Sequence, residues 1–85
     1  MRLEEFGREM KRLIPKIAFI TLDEYSIKLH SRKPEFRDSR GPGYWQSRDT
    51  ITGIEMSFVN IDLREFTDNA GRIRYSRAIR ELKDE

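Results

Sequence analysis

No cysteine occurs among the 85 residues. That excludes disulfides, thiolate metal sites and a cysteine nucleophile. A reducing compartment fits such a composition. Histidine occurs once, as His30. A metal site built on one imidazole and no thiolate needs carboxylates gathered around it, and no ligand spacing in the chain suggests one. Apolar residues are scarce, at 36%. That share is low for a globular protein, so the nine aromatics must carry much of the buried area. No apolar run approaches the ~18 residues needed to span a membrane, and the N-terminus has no signal-peptide pattern. No membrane, metal or cofactor is therefore expected. Internal repeats and low-complexity tracts are absent too. The length suits one domain, residues 1–85, with a modest core.

The pattern that is present begins with a helix. Leu3, Phe6, Met10, Leu13 and Ile14 lie on one face at helical spacing. Glu4 and Arg8 support it at i,i+4, Gly7 weakens it, and Pro15 ends it. Lys16 to Leu22 reads as a strand, an apolar run of strand formers with both faces covered. After an Asp23–Glu24 turn, Tyr25, Ile27 and Leu29 alternate with Ser26, Lys28 and His30, the signature of a half-buried strand. The two runs predict an antiparallel hairpin. Thr50 to Val59 is a third strand, with Ile54, Met56 and Phe58 in phase and Ile51 out of phase. A bulge near Gly53 would absorb that slip. Asp62-Leu63-Arg64-Glu65 matches a capping box opening a helical turn, which Asn69-Ala70-Gly71 closes. Arg72 to Tyr75 could form a short strand. Tyr75, Ala78, Ile79 and Leu82 have helical spacing and favour a last helix from near Ser76; an edge strand over Ala78 to Leu82 is the rival. The expected fold is α+β: an amphipathic N-terminal helix on a small, mostly antiparallel sheet, a long basic loop over 31–49 and a short C-terminal helix. The expected core is Phe6, Met10, Leu13, Ile17, Phe19, Ile27, Leu29, Ile54, Met56, Phe58 and Leu63.

The net charge of +2 conceals a block pattern. Residues 31–48 carry five cations against two carboxylates, 49–68 five carboxylates against one arginine, and 72–83 five cations against one glutamate. Arginine outnumbers lysine 12 to 5, and its planar fork binds phosphate or carboxylate bidentately. The segment 31–48 has Pro34, Gly41, Pro42 and Gly43 and no periodicity, as in a functional loop. It interleaves Phe36, Tyr44 and Trp45 with its cations. Cations and rings together suit unpaired nucleic acid, and Trp, Tyr and Arg also dominate protein-interface hot spots. Arg32, Lys33, Arg37, Arg40, Tyr44, Trp45 and Arg48 are thus the candidate partner-binding residues. Arg72, Arg74, Arg77 and Arg80 form a second basic patch. The competing reading is a solvated arginine surface with Tyr44 and Trp45 folded back onto the core.

Catalytic patterns are thin. No nucleophile motif accompanies His30, and Gly41-Pro42-Gly43 lacks the Lys-Ser/Thr of a phosphate loop. One enzymatic reading survives by analogy: small basic ribonucleases of the bacterial toxin type could use a set such as His30, Arg32, Tyr44 and Arg48.

The stretch Ile61-Asp62-Leu63-Arg64-Glu65-Phe66-Thr67-Asp68-Asn69-Ala70-Gly71-Arg72-Ile73-Arg74-Tyr75-Ser76-Arg77 resembles the C-terminal ends of small accessory proteins encoded by bacteriophages and prophages. Those read as an aliphatic-Asp-Leu turn, then Asp-x-x-Gly, then Ile-x-Tyr-Ser. The resemblance implies a compact, non-enzymatic binding protein in the cytoplasm of a bacterial host. Such a protein would occupy a host protein or ribonucleoprotein, including as an inhibitor of defence of the anti-CRISPR kind. A nucleic-acid-binding module using the Arg/aromatic loop is the alternative, and a small ribonuclease the third.

Overall fold

A computed structural model describes residues 1–23, 26–37, 43–55, 60–66, 70 and 78–83. The N-terminal periodicity folds as helix α1, Leu3–Leu13. Glu4 and Glu5 occupy its first turn and Lys11 and Arg12 its last, the arrangement the helix dipole favours. Lys11 Nζ then donates to the carbonyls of Pro15 and Ile17, at 3.1 and 2.6 Å, and holds the chain as it leaves the helix.

Six strands follow: β1 Phe19–Leu22, β2 Ser26–His30, β3 Glu35–Arg37, β4 Tyr44–Gln46, β5 Thr50–Glu55 and β6 Ala78–Glu81. Four of them form a sheet in the order β5-β2-β1-β6, and every pairing in it is antiparallel. The fold is therefore α+β, with one N-terminal helix packed on an antiparallel sheet. The predicted β1–β2 hairpin is present, pairing Phe19 with His30 and Leu22 with Ile27. The bulge is present as well, but at Ile51 rather than Gly53. Leu29 faces Thr52 and His30 faces Thr50, so Ile51 is the extra residue.

Two expectations are corrected. The segment read as a C-terminal helix contains strand β6, which pairs with β1 from Phe19↔Glu81 to Leu22↔Ala78. The open edge of β1 supplies hydrogen bonds that outweigh the weak helical spacing, and Leu82 N–H extends the ladder to Ala18 O at 2.8 Å. The long loop is also not structureless. Within it β3 and β4 pair as a second antiparallel hairpin, Phe36 opposite Trp45.

Directly paired antiparallel residues share a face. Ile20, Leu22, Ile27 and Leu29 therefore line one face of the sheet, and all four are fully buried. Helix α1 lies on this face. Its Gly7 is the point of closest approach, because a Cβ there would sit 2.8 Å from Leu82 Cδ2 and 3.0 Å from Ile20 Cγ2. The glycine that costs helix propensity thus brings helix and sheet together. Leu3, Ile17, Ala78 and Leu82 complete the core, with Phe6, Met10, Ile14, Ile51, Ile54, Ile61 and Phe66 packed around it. Leu13, expected inside, is 76% exposed. At 3.6 residues per turn it lies about 80° round the helix from Leu3, off the contact face. Phe19 falls on the opposite face of the sheet and is only half-buried. Met56, Phe58 and the Leu63 side chain lie outside what the structure describes. The capping residue of 62–65 is confirmed: Asp62 Oδ1 accepts from Arg64 N–H at 3.0 Å and opens a 3₁₀ turn, Leu63–Phe66. The Asn69–Gly71 closure and the Arg72–Tyr75 strand fall on residues outside the described set, Ala70 apart.

The second face of the sheet carries Thr21, Lys28 and His30. Alternation in β2 marks Lys28 and His30 as polar and outward, yet His30, like Thr21 of β1, is fully buried. The cause is the β3–β4 hairpin, which docks on this face and makes a third layer.

Candidate functional site

The hairpin is seated by polar contacts. The carboxylate of Asp23, at the end of β1, is fully buried. Its Oδ1 accepts from Ser26 N–H at 3.0 Å and its Oδ2 from Trp45 N–H at 3.1 Å. Lys28 Nζ lies 3.3 Å from Asp23 Oδ2 and donates to Trp45 O at 2.8 Å. The same ammonium stands 5.5 Å from the centre of the Tyr44 ring. One ion pair thus satisfies both backbone groups of Trp45. With its N–H spent on Asp23, Trp45 faces Phe36 as a non-hydrogen-bonded pair, in which side chains approach most closely. Their rings meet edge to face, centroids 5.3 Å apart. Gly43 is required here, since a Cβ would collide with the Phe36 ring and lie 3.0 Å from Arg37 O.

His30 makes the second attachment. One ring nitrogen, Nε2, is 2.9 Å from Thr21 Oγ1 and the other, Nδ1, is 2.7 Å from Ser47 Oγ, just past β4. Burial pushes its pKa below the ordinary value, and Lys28 adds to that, while Asp49 and Asp23 oppose it. Both nitrogens are engaged and the ring is buried, so His30 is not gathered with Arg32, Tyr44 and Arg48 into an exposed set.

With Phe36 and Trp45 turned inward, the opposite face of the hairpin carries Glu35, Arg37, Tyr44 and Gln46. Glu35, Arg37 and Gln46 of that face, together with the flanking turns, line an open groove of about 720 Å³ with Arg32, Lys33, Ser47, Arg48 and Asp49. Among the described residues no apolar side chain contributes to it. Arg37 is held within the hairpin by Glu35 Oε2 at 3.0 Å and Gln46 Oε1 at 3.1 Å. Asp49 accepts from the Ser31 hydroxyl, whose hydrogen bond holds the carboxyl below its usual pKa, helped by Ser47 and by the backbone N–H groups of Asp49 and Arg32. Arg32, Lys33 and Arg48 are exposed and form no ion pair among the described residues.

Four of the seven predicted partner-binding residues, Arg32, Lys33, Arg37 and Arg48, therefore come together. Trp45 does not join them: it is 7% exposed and belongs to the layer beneath, the folded-back alternative. Tyr44 is half-buried against Lys28. Arg40 lies outside the described residues, as do Arg72, Arg74 and Arg77 of the second patch. Arg80, on β6 at the sheet edge opposite β5, lies over the Phe66 ring at 5.8 Å and donates to Ile79 O. Sequence reasoning passed over Glu35, Gln46, Ser47 and Asp49 as groove residues, and Asp23 and Lys28 as its supports. A buried Asp three residues before a strand gives no local sign that its partner lies 22 positions on.

Among the described residues no cluster of His, Asp or Glu is suited to a metal, and no helix is long and apolar enough to cross a membrane. Comparison with protein-family models, with curated proteins and with solved structures gave no match.

Proposed function

We propose that this protein is a non-enzymatic binding protein whose groove of Arg32, Lys33, Arg37 and Arg48 engages an anionic surface on a host protein or protein–nucleic-acid complex. The observation that carries this reading is three exposed cations that form no ion pair among the described residues, beside a docked hairpin. Pre-organised guanidinium groups lose little entropy on meeting a carboxylate or phosphate. The finer assignment, an inhibitor of host defence of the anti-CRISPR type acting in the bacterial cytoplasm, draws its support from the resemblance of Ile61–Arg77 to phage accessory proteins. The alternative, a nucleic-acid-binding module, is favoured by the density of arginine alone. It has lost its stacking ring, because Trp45 is packed beneath the hairpin. The ribonuclease reading has lost its histidine to the interior in the same way.

The test is affinity capture from a bacterial lysate, with nuclease treatment, comparing the native chain with an Arg32→Ala/Arg48→Ala variant. A partner retained after nuclease by the native chain and lost by the variant is expected. Capture unchanged in the variant overturns the groove as the contact surface.

A further inference from the structure

We infer that the groove is built for an acidic, extended protein segment, and that Glu35 and Asp49 make it a poor site for a nucleic-acid backbone. This rests on the binding reading above and specifies its ligand chemistry.

Charge is the first argument. Four cations line the groove, but two carboxylates lie among them. A single-stranded nucleic acid brings one phosphate per nucleotide and no cation, so a protein that follows it needs a continuous positive track. Here every phosphate that meets Arg32, Lys33 or Arg48 brings others toward Glu35 and Asp49. Like charges brought together in this way suppress the wrong partner. A peptide differs because it carries backbone N–H donors between its carboxylates. Those donors can satisfy Glu35, whose side chain is 74% exposed and, among the described residues, is paired with Arg37, itself 55% exposed. Gln46, whose Oε1 already accepts from Arg37, adds side-chain amide N–H donors of the kind that meet a peptide carbonyl.

The rings supply a second argument. Sequence-tolerant nucleic-acid grooves stack bases on exposed aromatics. Among the described residues no aromatic lines this groove. Phe36 and Trp45 are spent on each other, and Tyr44, half-buried, lies against Lys28 and is not a lining residue. What remains is electrostatics and hydrogen bonding, with guanidinium forks that match carboxylates bidentately.

The experiment is fluorescence anisotropy on the full chain with two labelled probes: a decapeptide of alternating Glu and Ser, and a deoxythymidine decamer. The peptide is expected to bind more tightly than the decamer at about 0.15 M salt. Arg48→Ala or Arg32→Ala should weaken the peptide about tenfold. Glu35→Gln should raise decamer affinity about twofold to fivefold, as expected for removing one exposed like-charge contact. It should leave the domain folded by circular dichroism, because Glu35 is exposed. Tighter binding of the decamer by the native chain, with affinity falling steeply in salt, overturns the inference and leaves the groove reading standing. If Arg32→Ala and Arg48→Ala alter neither probe's affinity, the groove reading falls with it. A peptide that binds but is insensitive to both arginines also refutes the inference.

Discussion

Asp23→Ala is the sharpest perturbation of the device that seats the hairpin. The native carboxylate is fully buried and serves Ser26 N–H, Trp45 N–H and Lys28 Nζ. Truncation leaves the buried Trp45 N–H without its acceptor, which costs about 1–3 kcal/mol. It also removes the turn bond to Ser26, worth about 0.5–1.5 kcal/mol. Lys28 is not stranded, since its side chain keeps 20% exposure and its bond to Trp45 O. The charge contribution is therefore modest, and the sum is roughly 2–4 kcal/mol. A chain of 85 residues has roughly 4–13 kcal/mol in total. At about 4–8 °C per kcal/mol, Tm should fall by roughly 10–30 °C. Trp45 is the sole tryptophan, so its emission reports docking of the hairpin, while circular dichroism reports the sheet. Urea titrations followed by both signals should show the loss, with Trp45 emission moving toward that of a solvated indole. Asp23→Asn keeps one carbonyl acceptor and should cost about half as much. If Asp23→Ala unfolds within about 0.5 kcal/mol of the native protein and its emission is unchanged, the hairpin is not held by this clamp.

Other outcomes follow from the same contacts. Burial lowers the pKa of His30 in the folded state, so the unfolded chain takes up its proton first. Stability should be full above about pH 6.5 and fall as pH drops below it; urea midpoints between about pH 7 and 5.5 test this, and His30→Gln should flatten the profile. Gly43→Ala forces the Phe36 ring off Trp45 and should cost about 1–3 kcal/mol, read as a lower thermal midpoint with altered tryptophan emission. Leu3→Ala should cost about 2–5 kcal/mol because Leu3 is fully buried, whereas Leu13→Lys should stay within about 0.5 kcal/mol; equal effects in denaturant titrations would mean that the contact face of α1 is misassigned.

Most of the groove was legible as composition. A run rich in arginine, bounded by Gly and Pro and without periodicity, marked the segment, and Arg32, Lys33, Arg37 and Arg48 meet there. Its direction was not legible. Whether Trp45 points to solvent or inward depends on Asp23 and Lys28, 22 and 17 positions away. Hot-spot residue types look the same in a list whether they face a partner or the core.

The division between local and tertiary control is physical. Helix α1, the β1–β2 hairpin and the Asp62 cap each depend on residues within a few positions of one another. Spacing, turn residues and a capping side chain determined them from the sequence alone. Three features needed the assembled fold. Ala78–Glu81 became a strand because β1 had an edge to fill. His30 became buried because a second hairpin covered the polar face of β2. The β3–β4 hairpin is seated on the sheet by the ion pair that holds Trp45. In each case the deciding partner is distant in sequence, and hydrogen bonds that close only when layers meet leave no periodic trace in the chain.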